Sequence, residues 1–175
     1  MRTIQPKLIL ISLIIVCLLA PIKFYAFTVP LTLQTWALFS VAMIFGKKTG
    51  FIVALLYIIL GALGLPVLAG FNGGIEKMYG PTAGFIWAFP FVNYYLGWES
   101  ERREPDFFHH IVAFVRGHFL LLIPGFLVLY FSMEGVKLWD TFILLLPGLF
   151  LKSIVGGLIT SFAKKKASTA MGGSS

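Results

Sequence analysis

Six long apolar runs organise the chain: Leu8–Phe27, Leu33–Gly46, Phe51–Ala69, Ala83–Trp98, Ile111–Phe131 and Phe142–Ala163. Short polar or charged segments separate them. The first run is about one bilayer thickness of helix. Pro21 predicts a kink or an end within it, because proline has no backbone donor and clashes with the preceding turn. The second run has fourteen residues. As helix it spans only about 21 Å, short of the roughly 30 Å hydrocarbon core. Either that helix begins inside the membrane, or the preceding segment Val29–Thr35 lies at membrane depth. Both readings point Thr32, Gln34 and Thr35 into a protected space.

Between the third and fourth runs lies GALGLPVLAGFNGGIEKMYGPTAG, Gly61 to Gly84. It holds seven of the chain's 18 glycines and two of its nine prolines. Such a stretch does not continue as a helix, and lipid would leave its backbone groups unpaired. The expectation is an ordered re-entrant or capping loop with its turn at Asn72, Gly73 and Gly74. A mobile surface loop is the alternative. The dense charge cluster ESERREPD, Glu99 to Asp106, reads as an aqueous loop.

Composition turns these runs into membrane spans. Of 175 residues, 58% are hydrophobic and 12% charged, too few charges for the surface of a soluble domain. The expected fold is an all-α integral membrane protein of six transmembrane helices. It forms a single domain over residues 1–166, followed by a disordered polar tail over 167–175. Arg2 and Lys7 before the first run resemble a signal peptide. Pro21, Lys23 and aromatics follow instead of a small-residue cleavage pattern, so the run reads as a retained helix. Cys17 is the single cysteine, which excludes an internal disulfide and a thiolate metal cluster.

The net charge of +7 is not a nucleic-acid signature, because the basic residues sit at the ends of apolar runs. With both termini in the cytoplasm, Arg2, Lys7, Lys47, Lys48, Arg102, Arg103 and Lys164–Lys166 lie inside. Lys23, Lys77 and Lys137 lie outside. That positive-inside bias favours N-in, C-in, with the glycine-rich loop facing outward in the plasma membrane.

Lys152 is the sharpest chemical signal. It lies twelve residues from Asp140 and twelve from Lys164, near the bilayer centre. A lysine there is costly and normally faces a cavity, a partner or a path. No Asp or Glu lies within any apolar run, so a ligand carboxylate is the natural counter-ion. A lysine snorkelling along its own stem is the alternative, and its reach of about 6 Å is too short from the centre. Arg116, nearer the cytoplasmic end, reads as snorkelling. His118 has no second ligand at metal-binding spacing and reads as a core or interface histidine. His109 and His110 read as interfacial. Trp36, Phe85, Trp87, Phe89, Tyr94 and Tyr95 are pocket candidates, although belt or packing roles are commoner for such residues.

Taken in order, VPLTLQT (29–35), LGALGLPVLAG (60–70), NGG (72–74), GPTAGF (80–85) and PGLFLK (147–152) resemble the BioY-type S components of energy-coupling-factor (ECF) vitamin transporters, which bind biotin. The resemblance runs collinearly from Val29 to about Gly157. It implies a six-helix substrate-binding subunit that takes up biotin, with no catalytic residue, metal or cofactor. Its partners would be a transmembrane coupling subunit and separate ATPase subunits.

By motif, Lys152 would pair with the biotin carboxylate and Asn72 would hydrogen-bond the ligand. Gln34 would add a polar contact. Gly73 and Gly74 would let the loop close, and Phe85 would pack on the ring. Two departures stand out. Leu149 occupies the place of the family's usual acid before the lysine. The first helix also lacks the Ala-x-x-x-Ala pattern used for docking to the coupling subunit. Three competitors stay open at this point: an S component for another carboxylate-bearing vitamin, a small membrane enzyme, and a non-transporting assembly subunit.

Overall fold

The computed structural model describes residues 5–26, 29–102 and 106–172. Arg2, Arg103 and the last three residues of the tail lie outside them, as do the side chains of residues 24–31 and 167–172. Six α-helices make the fold: α1 Pro6–Leu19, α2 Gln34–Phe45, α3 Lys47–Ala62, α4 Ala83–Glu101, α5 Phe107–Ser132 and α6 Leu138–Gly172. Between α1 and α2 sits a two-stranded antiparallel hairpin, β1 Lys23–Ala26 and β2 Val29–Thr32, with Lys23 opposite Thr32.

This hairpin corrects the sequence reading. The first apolar run is not one helix: α1 starts with Pro6 at its first turn and stops just before Pro21. The stretch after Pro21 is strand, and Val29–Thr32 pairs with it instead of forming an open hinge. The pairing satisfies the backbone groups that each strand turns toward the other.

The third run also differs from its expected bounds. Helix α3 begins at Lys47, immediately after Gly46, whose φ of 93° turns the chain between α2 and α3 in one residue. It ends at Ala62, so Leu63–Ala69 belongs to the following loop. Helix α4 runs through Glu99 and Ser100, which are buried; the first part of the charge cluster is therefore helix and not aqueous loop. Asp106 then caps α5, accepting from the His109 amide at 3.0 Å. The backbone of α6 continues to Gly172, six residues into the stretch expected to be a disordered tail.

Helices α4, α5 and α6 pack side by side, and α2 and α3 pack on α4. Tyr57, Phe39, Phe114 and Leu96 are fully buried between them. Small polar contacts tie helices that share this core: Ser40 and Thr160 hydroxyls lie 2.7 Å apart between α2 and α6. By length and composition, Phe107–Ser132 and Leu138–Lys166 are each able to cross a bilayer, whereas α1 and α2 are apolar but shorter. Large side chains such as Ile123, Phe131 and Phe162 point outward, with exposures of 70%, 78% and 73%. A surface that apolar suits lipid and not water.

Candidate functional site

The glycine-rich loop is ordered by contacts at several points. The Gly70 amide donates to the Pro21 carbonyl at 2.8 Å, and the Gly74 amide to Gly61 at 2.7 Å. The Tyr57 hydroxyl donates to the Val67 carbonyl at 2.9 Å, and the Trp87 indole to Met78 at 3.0 Å. Leu68 and Asn72 bridge in antiparallel fashion, and the chain reverses between them through Gly70 at φ 77° and Phe71 at φ 58°. A bulky residue in that left-handed region is strained unless its surroundings hold it there. Here the bridge and the Pro21 contact do so.

Beneath this loop lies a cavity of about 570 Å³, within the usual size for small-molecule sites of roughly 300–1,000 Å³. Strand ends, the loop, α2, α4, α5 and α6 all contribute to its wall. Gln34, Asn72, Phe85 and Lys152, drawn from stretches up to 118 residues apart, meet in it. Gly73 and Gly74 lie outside its lining. A side chain on Gly73 would run into the backbone of Gly64 and Leu65, so this glycine lets the loop fold back onto the end of α3.

The Asn72 amide nitrogen is committed to the carbonyls of Ala69 at 2.8 Å and Gly70 at 3.4 Å. Its carbonyl oxygen is therefore the atom left for a ligand. Phe85 meets Phe126 edge to face at 6.4 Å, and with Phe89 they give the cavity an aromatic wall. Trp36, Trp87, Tyr94 and Tyr95 do not line it.

Two further lysines, Lys23 and Lys77, line the same cavity, and no carboxylate does among the described residues. Neither lysine is marked as a site residue by sequence. Lys23 falls near the end of the first apolar run and Lys77 in the capping loop, each counted only as an outer charge, and only the hairpin and the folded loop bring them together. Lys152 has no ion pair among the described residues. A chamber with three cationic side chains and an aromatic wall suits a small anion with an apolar body. No group of metal-ligating side chains occurs among the described residues.

A second, smaller cavity of about 140 Å³ shares Lys152 with the first and is walled by Phe85, Leu121, Leu122, Leu145, Gly148 and Leu149. Its polar side chains are Thr35, His118 and Lys152. His118, read from sequence as a core residue, is buried and yet reaches this space. Its Nδ1 lies 2.8 Å from the Phe114 carbonyl and its Nε2 lies 3.2 Å from the Thr35 hydroxyl.

Arg116 is not a lone snorkelling cation. It lies 2.6 Å from the Glu99 carboxylate, joining α5 to α4 well away from the cavity.

Comparisons with known proteins agree with the arrangement. The sequence profile of the BioY family matches residues 1–169. The probable biotin transporter BioY of Pyrococcus horikoshii is 51% identical over 69 residues, 39% of this chain and 43% of that protein. The biotin transporter BioY of Thermotoga maritima is 35% identical over 109 residues, 62% of this chain and 64% of its own length. These two alignments span less than two thirds of the relatives. The biotin transporter BioY2 of Lactococcus lactis subsp. cremoris is 32% identical over 160 residues, 89% of this chain and 85% of that one.

The crystal structure of the S-component for biotin from an ECF-type ABC transporter superposes with a TM-score of 0.77, covering 93% of this chain and 95% of that one. At 22% identity this likeness speaks for the fold. With nearly the whole sequence matched by one family profile and the fold shared along the same length, the chain belongs to the BioY family.

Proposed function

We propose that this chain is the membrane-embedded, substrate-binding S component of a biotin uptake system. It captures biotin from outside under the glycine-rich loop and releases it inward after a rearrangement. The observation that carries the reading is the cavity: three lysines, no acid among its described lining residues, and an aromatic wall. Biotin combines a carboxylate with an apolar ring system and a hydrogen-bonding ureido group. Lys152 pairs with the carboxylate, Phe85 packs on the ring, and Asn72 and Gln34 hydrogen-bond the polar edges. Gly73 and Gly74 shape the loop that closes over it. The names of the relatives are those of transporters and not of enzymes, and no step of this cycle needs covalent chemistry.

The same reading assigns all six helices to a single membrane-spanning domain over residues 1–166, N-in and C-in, in the bacterial plasma membrane. A transmembrane coupling subunit and ATPase subunits would supply the energy. The missing Ala-x-x-x-Ala pattern on α1 predicts a different docking surface for the coupling subunit.

Equilibrium binding of biotin to purified protein tests the site. Lys152→Ala is expected to weaken binding on the order of a hundredfold, the scale of a lost buried charge pair. Asn72→Ala is expected to cost about tenfold, one good hydrogen bond. Unchanged affinity in both variants would refute the assignment.

A further inference from the structure

We infer that Thr35, with its hydroxyl proton held by His118, is the neutral positioning partner of the Lys152 ammonium, standing where no carboxylate does. The inference rests on the biotin reading above and adds residues to it. Leu149, one turn before Lys152 on α6, is buried and helps wall the small cavity that Lys152 also lines. An ammonium brings three donors and no acceptor. One ligand carboxylate does not occupy all three, and a donor left bare in an apolar wall is costly. Thr35 carries the only side-chain oxygen among the described lining of that small cavity. It also lines the main cavity, as Lys152 does.

The hydrogen-bond pattern fixes what Thr35 offers. The Phe114 carbonyl 2.8 Å from His118 Nδ1 can only accept, so Nδ1 carries the proton. The Ser153 hydroxyl, 3.2 Å from the same nitrogen, donates its own proton to the Leu149 carbonyl at 2.8 Å and accepts from Nδ1. Among the described residues His118 is buried with only a carbonyl and two hydroxyls as hydrogen-bond partners and no carboxylate, which favours the neutral ring; Nε2 is then an acceptor, and the Thr35 hydroxyl 3.2 Å away donates to it. With its proton turned toward His118, Thr35 leaves its lone pairs for the cavity. Lone pairs repel a carboxylate and receive an ammonium. Thr35 is therefore matched to Lys152 and not to the ligand's acid. His118 packs edge-on against Phe39 in turn, with ring centroids 5.2 Å apart.

The test is a double-mutant cycle in biotin binding, using Thr35→Val, Thr35→Ser, Lys152→Met and the Thr35→Val/Lys152→Met pair, each first shown to be folded by size-exclusion chromatography. Thr35→Val keeps the shape and removes the oxygen. It is expected to weaken biotin about tenfold, on the scale of a hydrogen bond to a charged group. Thr35→Ser should restore most of the affinity. In the Lys152→Met background the same Thr35→Val change should cost less than twofold. Biotin amide, which needs no ammonium, should bind wild type and Thr35→Val alike.

A Thr35→Val effect that persists without Lys152, or equals itself for the amide, would overturn the inference in favour of plain packing. An unchanged affinity in Thr35→Val would overturn it as well, with the biotin reading intact. Failure of the folded wild-type protein to bind biotin at all would instead remove the biotin reading, and the inference with it.

Discussion

Removing Arg116 leaves the buried Glu99 carboxylate to the His109 ring, 3.9 Å away, whereas removing Glu99 leaves a half-exposed cation. The Arg116 and Glu99 side chains are 42% and 7% exposed, respectively. Arg116→Ala is therefore expected to lower the unfolding free energy by about 1–3 kcal/mol, and Glu99→Ala by clearly less. Denaturant unfolding in detergent measures both, and equal losses would contradict the argument. Neither role was legible in the sequence. A pair formed across two helices leaves no mark in spacing, and an arginine near a helix end fits snorkelling just as well. Lys152 was legible because its distance from every polar boundary makes it expensive wherever it points. Lys23 and Lys77 were not, since a lysine near the end of an apolar run or in a loop signals nothing until the chain folds over a cavity.

At the scale of elements, the helices approach closely where they lack side chains. A Cβ on Gly97 of α4 would lie 2.5 Å from the Lys47 backbone at the start of α3, and one on Gly50 of α3 would meet Ala42 of α2 at the same distance. Main chain cannot yield as a flexible side chain does. Gly97→Val is thus expected to cost about 1–3 kcal/mol of stability, the usual range for overpacking. Gly80→Ala, whose Cβ meets one carbonyl at 3.4 Å, should be nearly neutral by comparison. Matching midpoints for the two variants in thermal unfolding would count against this packing. Apolar run lengths located α2, α4 and α5 to within a few residues at each end, whereas α3 stops well short of its run and α6 overshoots its own; Pro21 marked the end of α1. The hairpin was missed because two four-residue strands fit inside apolar, aromatic sequence that equally suits a lipid-facing helix. The helical start of the charge cluster was missed because Glu99 and Ser100 are buried by partners on other elements.

For the whole molecule, the claim is a bundle that opens its cavity to the outside and carries an anion inward. The proposed orientation rests on the positive-inside bias, since the segments it places outside hold few of the basic residues. In a Cys17→Ser background, Glu76→Cys in the capping loop should react with a membrane-impermeant maleimide in intact cells. Lys48→Cys should react only after permeabilisation; the reverse pattern would invert the topology.

The helical bundle was legible because long apolar runs leave polypeptide few solutions other than helix. The cavity's contents were legible only in part, because its charges come from segments that sequence order keeps far apart. The most direct test of the central claim is calorimetric titration of biotin, and separately of biotin amide, into the folded wild-type protein. Saturable biotin binding, with the amide weaker on the order of a hundredfold, is the predicted result. Equal binding of the two, or binding of neither, would contradict an anion site built around Lys152.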